Sequence, residues 1–135
     1  MMRIAETIFK KMVDHAKREA PLECCGILAG KGRTVNRIYE MRNADRSRIS
    51  YFMAPEEQLE VFKEIERDGL DLLAIYHSHP HTIPFPSEKD VRLAFYPDVA
   101  YIIISLKDGE TSVKGFRIGK DAISIEPIRL IERSS

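Results

Sequence analysis

The chain has 135 residues, 44% of them hydrophobic, with Lys+Arg and Asp+Glu at 21 each and a formal net charge of zero. That length suits one globular domain over 1–135, able to bury roughly two thirds of its unfolded surface, and the balanced charge argues against nucleic acid as a partner. No stretch approaches the roughly 18 apolar residues of a membrane span, and the opening MMRIAETIFKK lacks an apolar core of signal-peptide length, so the expectation is a soluble cytoplasmic protein with no membrane partner.

Residues 4–19 place Ile4, Ile8, Met12, Val13 and Ala16 on one face at helical spacing, and Ala20-Pro21 ends the run, which predicts a first helix. The adjacent Cys24 and Cys25 rarely meet disulfide geometry as neighbours and fit a reducing compartment. They open the apolar run CCGILAG, which a Gly30-Lys31-Gly32-Arg33 turn joins to the alternating TVNRIYEM, and together these read as a hairpin. Residues 42–50 are polar and unpatterned, Tyr51-Phe52-Met53 reads as a short strand, and Pro55 suits the first turn of a second helix over 55–68. That helix is expected to bury Leu59, Val61, Phe62 and Ile65 and to stop at Gly69, a residue free to adopt a left-handed cap.

The chain then enters DLLAIYHSH, a strand, followed by a proline-rich loop and a third helix from Ser87 to about Tyr96. Val99 to Leu106 reads as a near-continuous apolar strand, Lys107-Asp108-Gly109-Glu110 as a hairpin turn, and 111–118 and 122–130 as the last strands, with Ser134-Ser135 a frayed end. There is no internal repeat. The predicted fold is a mixed α/β domain with a largely antiparallel sheet flanked by helices.

The chemistry concentrates in HSHPHTIPFPSEKD, residues 77–90, which holds three of the four histidines. Alternation along a strand points His77 and His79 the same way, with Ser78 opposite and Ile75 on the histidine face. Pro80 stops the ladder for want of an N–H, and the loop brings the chain round to Asp90, the natural third ligand. Two imidazoles and one carboxylate leave a tetrahedral position open for water, as in hydrolytic rather than structural zinc sites, and water on such an ion ionises near neutral pH. A simpler reading stands beside this one. Ser87-Glu88-Lys89-Asp90 is also a capping-box pattern, and His-x-His on a strand occurs by chance; it is the two fragments together, joined by the proline loop, that favour the metal. Ser87 can cap the helix and still donate its own proton elsewhere, whereas for Asp90 metal binding is expected to dominate over the cap.

On these residues the chain resembles the JAMM (MPN-plus) metalloprotease family, whose signature is an upstream Glu followed much later by His-x-His-Pro, a short loop and Ser-x-x-Asp. The match is His77, His79, Pro80, Ser87 and Asp90, with Pro21-x-Glu23-x-Cys25-Gly26-x-Leu28-x-Gly30 resembling the upstream segment of the compact prokaryotic members, and with Asn43, Phe52 and Pro55 in places where those members often carry such residues. The resemblance implies an MPN, cytidine-deaminase-like fold and one zinc ion held by His77, His79 and Asp90. It implies Glu23 as the base that takes a proton from water and returns it to the leaving amine, and Ser87 as a hydrogen-bond donor to the tetrahedral oxyanion. Glu23 also stands at the mouth of the apolar run, where a carboxylate would be partly buried and in need of a partner.

The activity so implied is isopeptidase or peptidase cleavage after the C-terminal glycine of a ubiquitin-like protein; in a chain this compact the expected partner is a small ThiS/MoaD-type sulfur carrier with a Gly-Gly tail, which residues 42–54 and 81–86 would contact. The alternatives are a non-catalytic MPN-type binding scaffold, against which the complete ligand set argues, and a metal-dependent hydrolase of small amides. His81 is expected as a loop residue near the substrate rather than a ligand, His15 as a surface or helix-end residue, Cys25 as core, and Cys24 without a role.

Overall fold

The computed structural model describes residues 1–132, so the predicted frayed end at Ser134-Ser135 lies outside the described residues. Its elements are β1 (Met2–Ala5), α1 (Glu6–Glu19), β2 (Cys25–Lys31), β3 (Thr34–Met41), α2 (Pro55–Arg67), β4 (Asp71–His79), α3 (Glu88–Arg92), β5 (Ala100–Ser105), β6 (Ser112–Ile118), β7 (Ile123–Glu126) and β8 (Ile128–Ile131). The strands form one sheet in the order β7-β6-β5-β4-β2-β3-β1-β8. Four of its seven pairings are antiparallel; β1 with β3, β1 with β8 and β4 with β5 are parallel.

That order forces the sheet to curl. β7 and β8 occupy opposite edges yet are separated in sequence by Pro127 alone. A flat sheet of this width would hold its edges roughly 34 Å apart at about 4.8 Å per strand, whereas one residue spans at most about 3.6 Å. The two edges must therefore come together. Pro127 suits the crossing, since it cannot donate to either ladder, and its carbonyl accepts a bond from Met2 N at 2.9 Å. Close approach also explains Gly115 on β6, where an added methyl group would lie 2.7 Å from the Glu126 carbonyl and press on Ile128.

The two sheet faces carry different helices. On one, Ile8, Met12 and Ala16 of α1 pack with Met2, Ile4, Leu28, Val35, Tyr76, Ile102 and Ile104. On the other, Ile65 of α2 packs with Cys25, Ile27, Ile75, Tyr101, Ile103 and Phe116. Strand alternation thus sends Tyr76 and Ser78 of β4 toward α1, and Ile75, His77 and His79 toward the α2 and α3 side.

Several local expectations need correction. Ile4 lies in a strand, not in the first helix: residues 2–5 hydrogen-bond to β3 and β8, far away in sequence, so a short-range apolar spacing could not reveal them. Tyr51-Phe52-Met53 is not a strand, because its backbone is spent on a loop brace in which Phe52 N donates to Asn43 Oδ1 and Ala44 N to the Phe52 carbonyl. On α2 the covered stripe runs through Gln58, Val61, Phe62 and Ile65, and Leu59 falls outside it, 52% exposed. The helix leaves through Gly69 at φ +69°, as anticipated. α3 ends at Arg92 rather than near Tyr96, its last bonds tightening as the chain turns out toward Pro97. The single strand expected over 122–130 is two, divided at Pro127. No helix among the described residues is long and apolar enough to cross a membrane.

Glu126 secures the point of closure. It is 6% exposed and accepts bonds from Arg33 Nη2 at 2.6 Å and Arg117 Nε at 2.7 Å, tying the β2–β3 turn and β6 to the end of β7. Burial alone would raise its pKa, but these hydrogen bonds, led by Arg117, hold it down to about 2. A depressed carboxylate pKa contributes stability that is present above the ordinary value and lost as pH falls through the folded one. Glu126→Gln should therefore lower the unfolding free energy by about 1.5–3 kcal/mol at neutral pH. Denaturant titrations should show the gap to the parent closing as pH drops from 4.5 toward 2.

Candidate metal centre

The end of β4 brings the predicted residues together. Cys25 of β2 stands opposite His77 of β4, and Ser78 continues the pairing past the start of β2, donating its N–H to the Cys24 carbonyl at 3.1 Å and accepting Cys24 N on its Oγ at 2.8 Å. Extending that register by two residues puts Glu23 across from His79. The loop after β3 then clamps Glu23 through its backbone: Glu23 N donates to the Ser47 carbonyl at 2.8 Å, and Asn43 Nδ2 donates to the Glu23 carbonyl at 3.0 Å.

His77 Nε2, His79 Nε2 and Asp90 Oδ2 stand 3.0–3.1 Å from one another. The capping box at α3 fixes the carboxylate: Ser87 N donates to Asp90 Oδ2 at 2.9 Å, and Asp90 N donates back to Ser87 Oγ at 3.1 Å. The cap and the triad share Oδ2, so the two readings of this motif coexist in the same atom. His79 is oriented by its other nitrogen, Nδ1 donating to the Ile83 carbonyl at 2.9 Å. The loop carrying that carbonyl is held in turn by Ser105 Oγ, which donates to Thr82 O at 2.6 Å. His77 is oriented by packing, its ring stacked on Tyr51 with centroids 4.6 Å apart.

The donor set fits a divalent cation on chemical grounds. A carbonyl can only accept, so His79 carries its proton on Nδ1 and turns the Nε2 lone pair inward. Three acceptor atoms at this spacing repel one another unless a positive charge lies among them, and the edge of a tetrahedral site with bonds of about 2.0–2.1 Å is close, at roughly 3.3 Å. The titration behaviour agrees. Burial lowers His77; burial would also lower His79, but its bonds to Asp90 and Ile83 raise it instead. Burial would raise Asp90, yet the hydrogen bonds to both imidazoles hold it well below the usual carboxylate range. In the metal-free protein a proton between an imidazole nitrogen and Asp90 Oδ2 thus stands where a cation would sit, and metal binding would displace it. Beside it, Glu23 is 4% exposed and its Oε1 has no hydrogen-bond partner among the described residues; burial raises its pKa to about 8.

Other expectations divide. His81 is exposed and outside the ligand cluster, and Cys25 is core as expected, with Cys24 buried on the opposite face. His15, expected at the surface, is only 4% exposed, with its Nδ1 2.7 Å from the Tyr76 hydroxyl; its partner is 61 positions away, beyond the reach of local reading. That contact fixes the Tyr76 ring over Gly26, where any side chain would strike it. Tyr51 and the Ile83 carbonyl were not foreseen as supports of the two imidazoles. Asn43 had a usable signal: its Oδ1 accepts Asp45 N at 3.0 Å, the Asx turn that Asn-x-Asp favours.

A family model described as prokaryotic homologs of the JAB domain matches residues 5–119. The chain belongs to this family. Among curated relatives of this JAB-type protein, the CysO-cysteine peptidase of Mycobacterium tuberculosis is 36% identical over 133 residues, covering 96% of this chain and 91% of the relative. The desampylase of Haloferax volcanii is 36% identical over 103 residues, 74% of each chain. The solution structure of protein DSY2949 from Desulfitobacterium hafniense superposes with a TM-score of 0.90 at 38% identity, covering 98% of this chain and 94% of that one. With these relatives and this donor set, the JAB-type chain is a hydrolase of the compact prokaryotic JAMM group.

The state of Glu23 has a measurable consequence. With a folded pKa near 8 against an ordinary 4.5, the native metal-free protein keeps a proton that the unfolded chain releases, so its stability falls as pH rises between those values. In the presence of chelator, Glu23→Gln should melt above the parent at pH 8, and the difference should vanish near pH 5, as read by thermal unfolding across that range. Equal melting temperatures at both ends would show that this carboxylate is not buried at a cost.

Proposed function

We propose that the chain is a zinc-dependent isopeptidase or peptidase, with one ion per chain held by His77, His79 and Asp90, that hydrolyses the bond after the C-terminal glycine of a small ubiquitin-like or ThiS/MoaD-type sulfur-carrier protein. The observation that carries this reading is the convergence of three acceptor atoms within 3.1 Å next to a buried carboxyl whose Oε1 has no hydrogen-bond partner among the described residues. A divalent ion held there by His77, His79 and Asp90 would polarise the scissile carbonyl and lower the pKa of water to near neutral.

The remaining chemistry belongs to the chain's own groups. Glu23, whose carboxyl a cation beside it would bring to the ionised form, takes a proton from the attacking water. As the tetrahedral species collapses, the same carboxyl returns that proton to the leaving amine, so the amine departs neutral. Ser87 Oγ accepts Asp90 N and keeps its own hydrogen free to donate to the oxyanion. The Asn43 and Ser47 bonds to the Glu23 backbone hold the proton carrier in place through both transfers.

A protein substrate is favoured over a small amide by the surroundings of the site. Ile49, Phe52, Ile83, Phe85, Leu93 and Phe95 are six of the eleven large apolar side chains exposed among the described residues, and all six lie on the segments framing the site. Apolar surface gathered around a polar centre marks a protein contact. One relative is named for a CysO-cysteine linkage and another as a desampylase, which supports a carrier-type substrate. Two buried free thiols are compatible with the cytoplasm as the working compartment.

Metal analysis and cleavage of carrier conjugates, with and without chelator, test the proposal. The expected result is one zinc per chain and turnover abolished by chelation. Glu23→Gln should keep the ion and the fold but lose turnover, whereas His77→Ala and Asp90→Asn should lose the ion. Cleavage persisting in Glu23→Gln would remove the base assignment. Ser87→Ala should lower kcat by roughly 10²-fold or more, together with about 1 kcal/mol of stability from the lost cap.

A further inference from the structure

A cleft of about 120 Å³ opens beside the metal centre, walled by Tyr51, Phe52, Leu93 and Phe95 and floored by Ile75 and Tyr101. Apart from Gln58 its lining is aromatic and aliphatic, and two of the walls, Phe52 and Phe95, are 48% and 69% exposed. Tyr51 belongs to both places, being a wall of the cleft and the ring stacked on His77. A cavity of about 150 Å³ takes a benzene ring, so this one has room for a single branched aliphatic side chain or a small ring.

We infer that this cleft receives the side chain immediately preceding the C-terminal Gly-Gly of the carrier and so selects carriers with an apolar residue there. The inference rests on the peptidase reading and deepens it. Position along β4 decides which half of the substrate enters. Glu23 is level with His79 at the end of the strand, whereas Ile75, level with Tyr101 of β5, lies four residues back along it. The leaving amine must sit near Glu23 to receive its proton, so the acyl half runs the other way, back along β4 toward the cleft.

Spacing then decides which residue. Ile75 precedes His77 by two residues on the same face, a distance of about 6.6 Å along a strand. An extended tail with its terminal glycine carbonyl at the metal centre covers the same distance in two residues, which brings the one before Gly-Gly over Ile75. By alternation that residue and the terminal glycine face the sheet together. At the terminal position the sheet surface is His77, 1% exposed and covered by Tyr51, where a side chain would collide; only glycine fits.

The test uses zinc-loaded protein and a series of conjugates differing only in the residue before Gly-Gly: Val, Leu, Phe, Gly or Asp. Expected is a kcat/KM at least about tenfold higher for Val or Leu than for Asp, a discrimination within the range of one apolar group entering a fitted pocket. The combined variant Leu93→Ala and Phe95→Ala, both at exposed positions, should reduce that ratio to under about threefold. In parallel, tail peptides of the same series are titrated into Glu23→Gln, with the tyrosine and phenylalanine NMR signals of the cleft as readout. Cleavage that is equal across the series overturns the cleft assignment and leaves the peptidase reading intact. Selective binding of apolar tails at the cleft, with no conjugate cleaved by the parent protein, supports the cleft and overturns the peptidase reading. Neither cleavage nor binding overturns both.

Discussion

Three acceptor atoms crowded at the end of one strand are the constraint around which this molecule is arranged. Left to themselves, two imidazole lone pairs and a carboxylate would separate. They stay within 3.1 Å because each is tied from behind: Asp90 by the Ser87 amide, His79 by the Ile83 carbonyl, and His77 by the flat face of Tyr51. Such ties are what keep a ligand set preorganised rather than collapsing onto itself.

The sheet supplies the rigidity those ties need. β4 is bonded on both sides, to β2 and to β5, so neither histidine can shift along its strand without breaking a ladder. Closure of the sheet through Pro127 and Glu126 leaves those central strands far from any frayed edge. On the opposite face α1 latches to the same strand through His15 and Tyr76, so the segment carrying His77 and His79 is packed from both sides.

Glu23 shows how a structural element becomes chemical. Its carboxyl is buried, with Oε1 lacking a hydrogen-bond partner among the described residues, a costly arrangement for a side chain that ordinarily lies in water. The loop of residues 42–52 holds it there by its backbone alone, leaving both carboxyl oxygens free of the clamp. The same loop supplies Tyr51 and Phe52, so one segment positions the proposed base, backs the His77 ring and walls the cleft.

Much of this was legible in the residues themselves. The period-two rule aligned His77 with His79, Pro80 marked the end of their strand, and Ser87-x-x-Asp90 announced a helix start, because all three are local rules of backbone geometry. The β2–β3 hairpin and the left-handed exit at Gly69 were readable for the same reason. What depended on distant partners was not. The strand at Met2–Ala5 exists only because β3 and β8 flank it, the 122–130 segment divides because its halves serve opposite edges of a curled sheet, and His15 is buried by a tyrosine far along the chain. The sequence by itself determined which atoms could bind a metal and move a proton. Only the tertiary structure decided that Glu23 would be desolvated beside them and that Tyr51 would cover His77, since burial and stacking arise from surfaces that meet when the sheet closes.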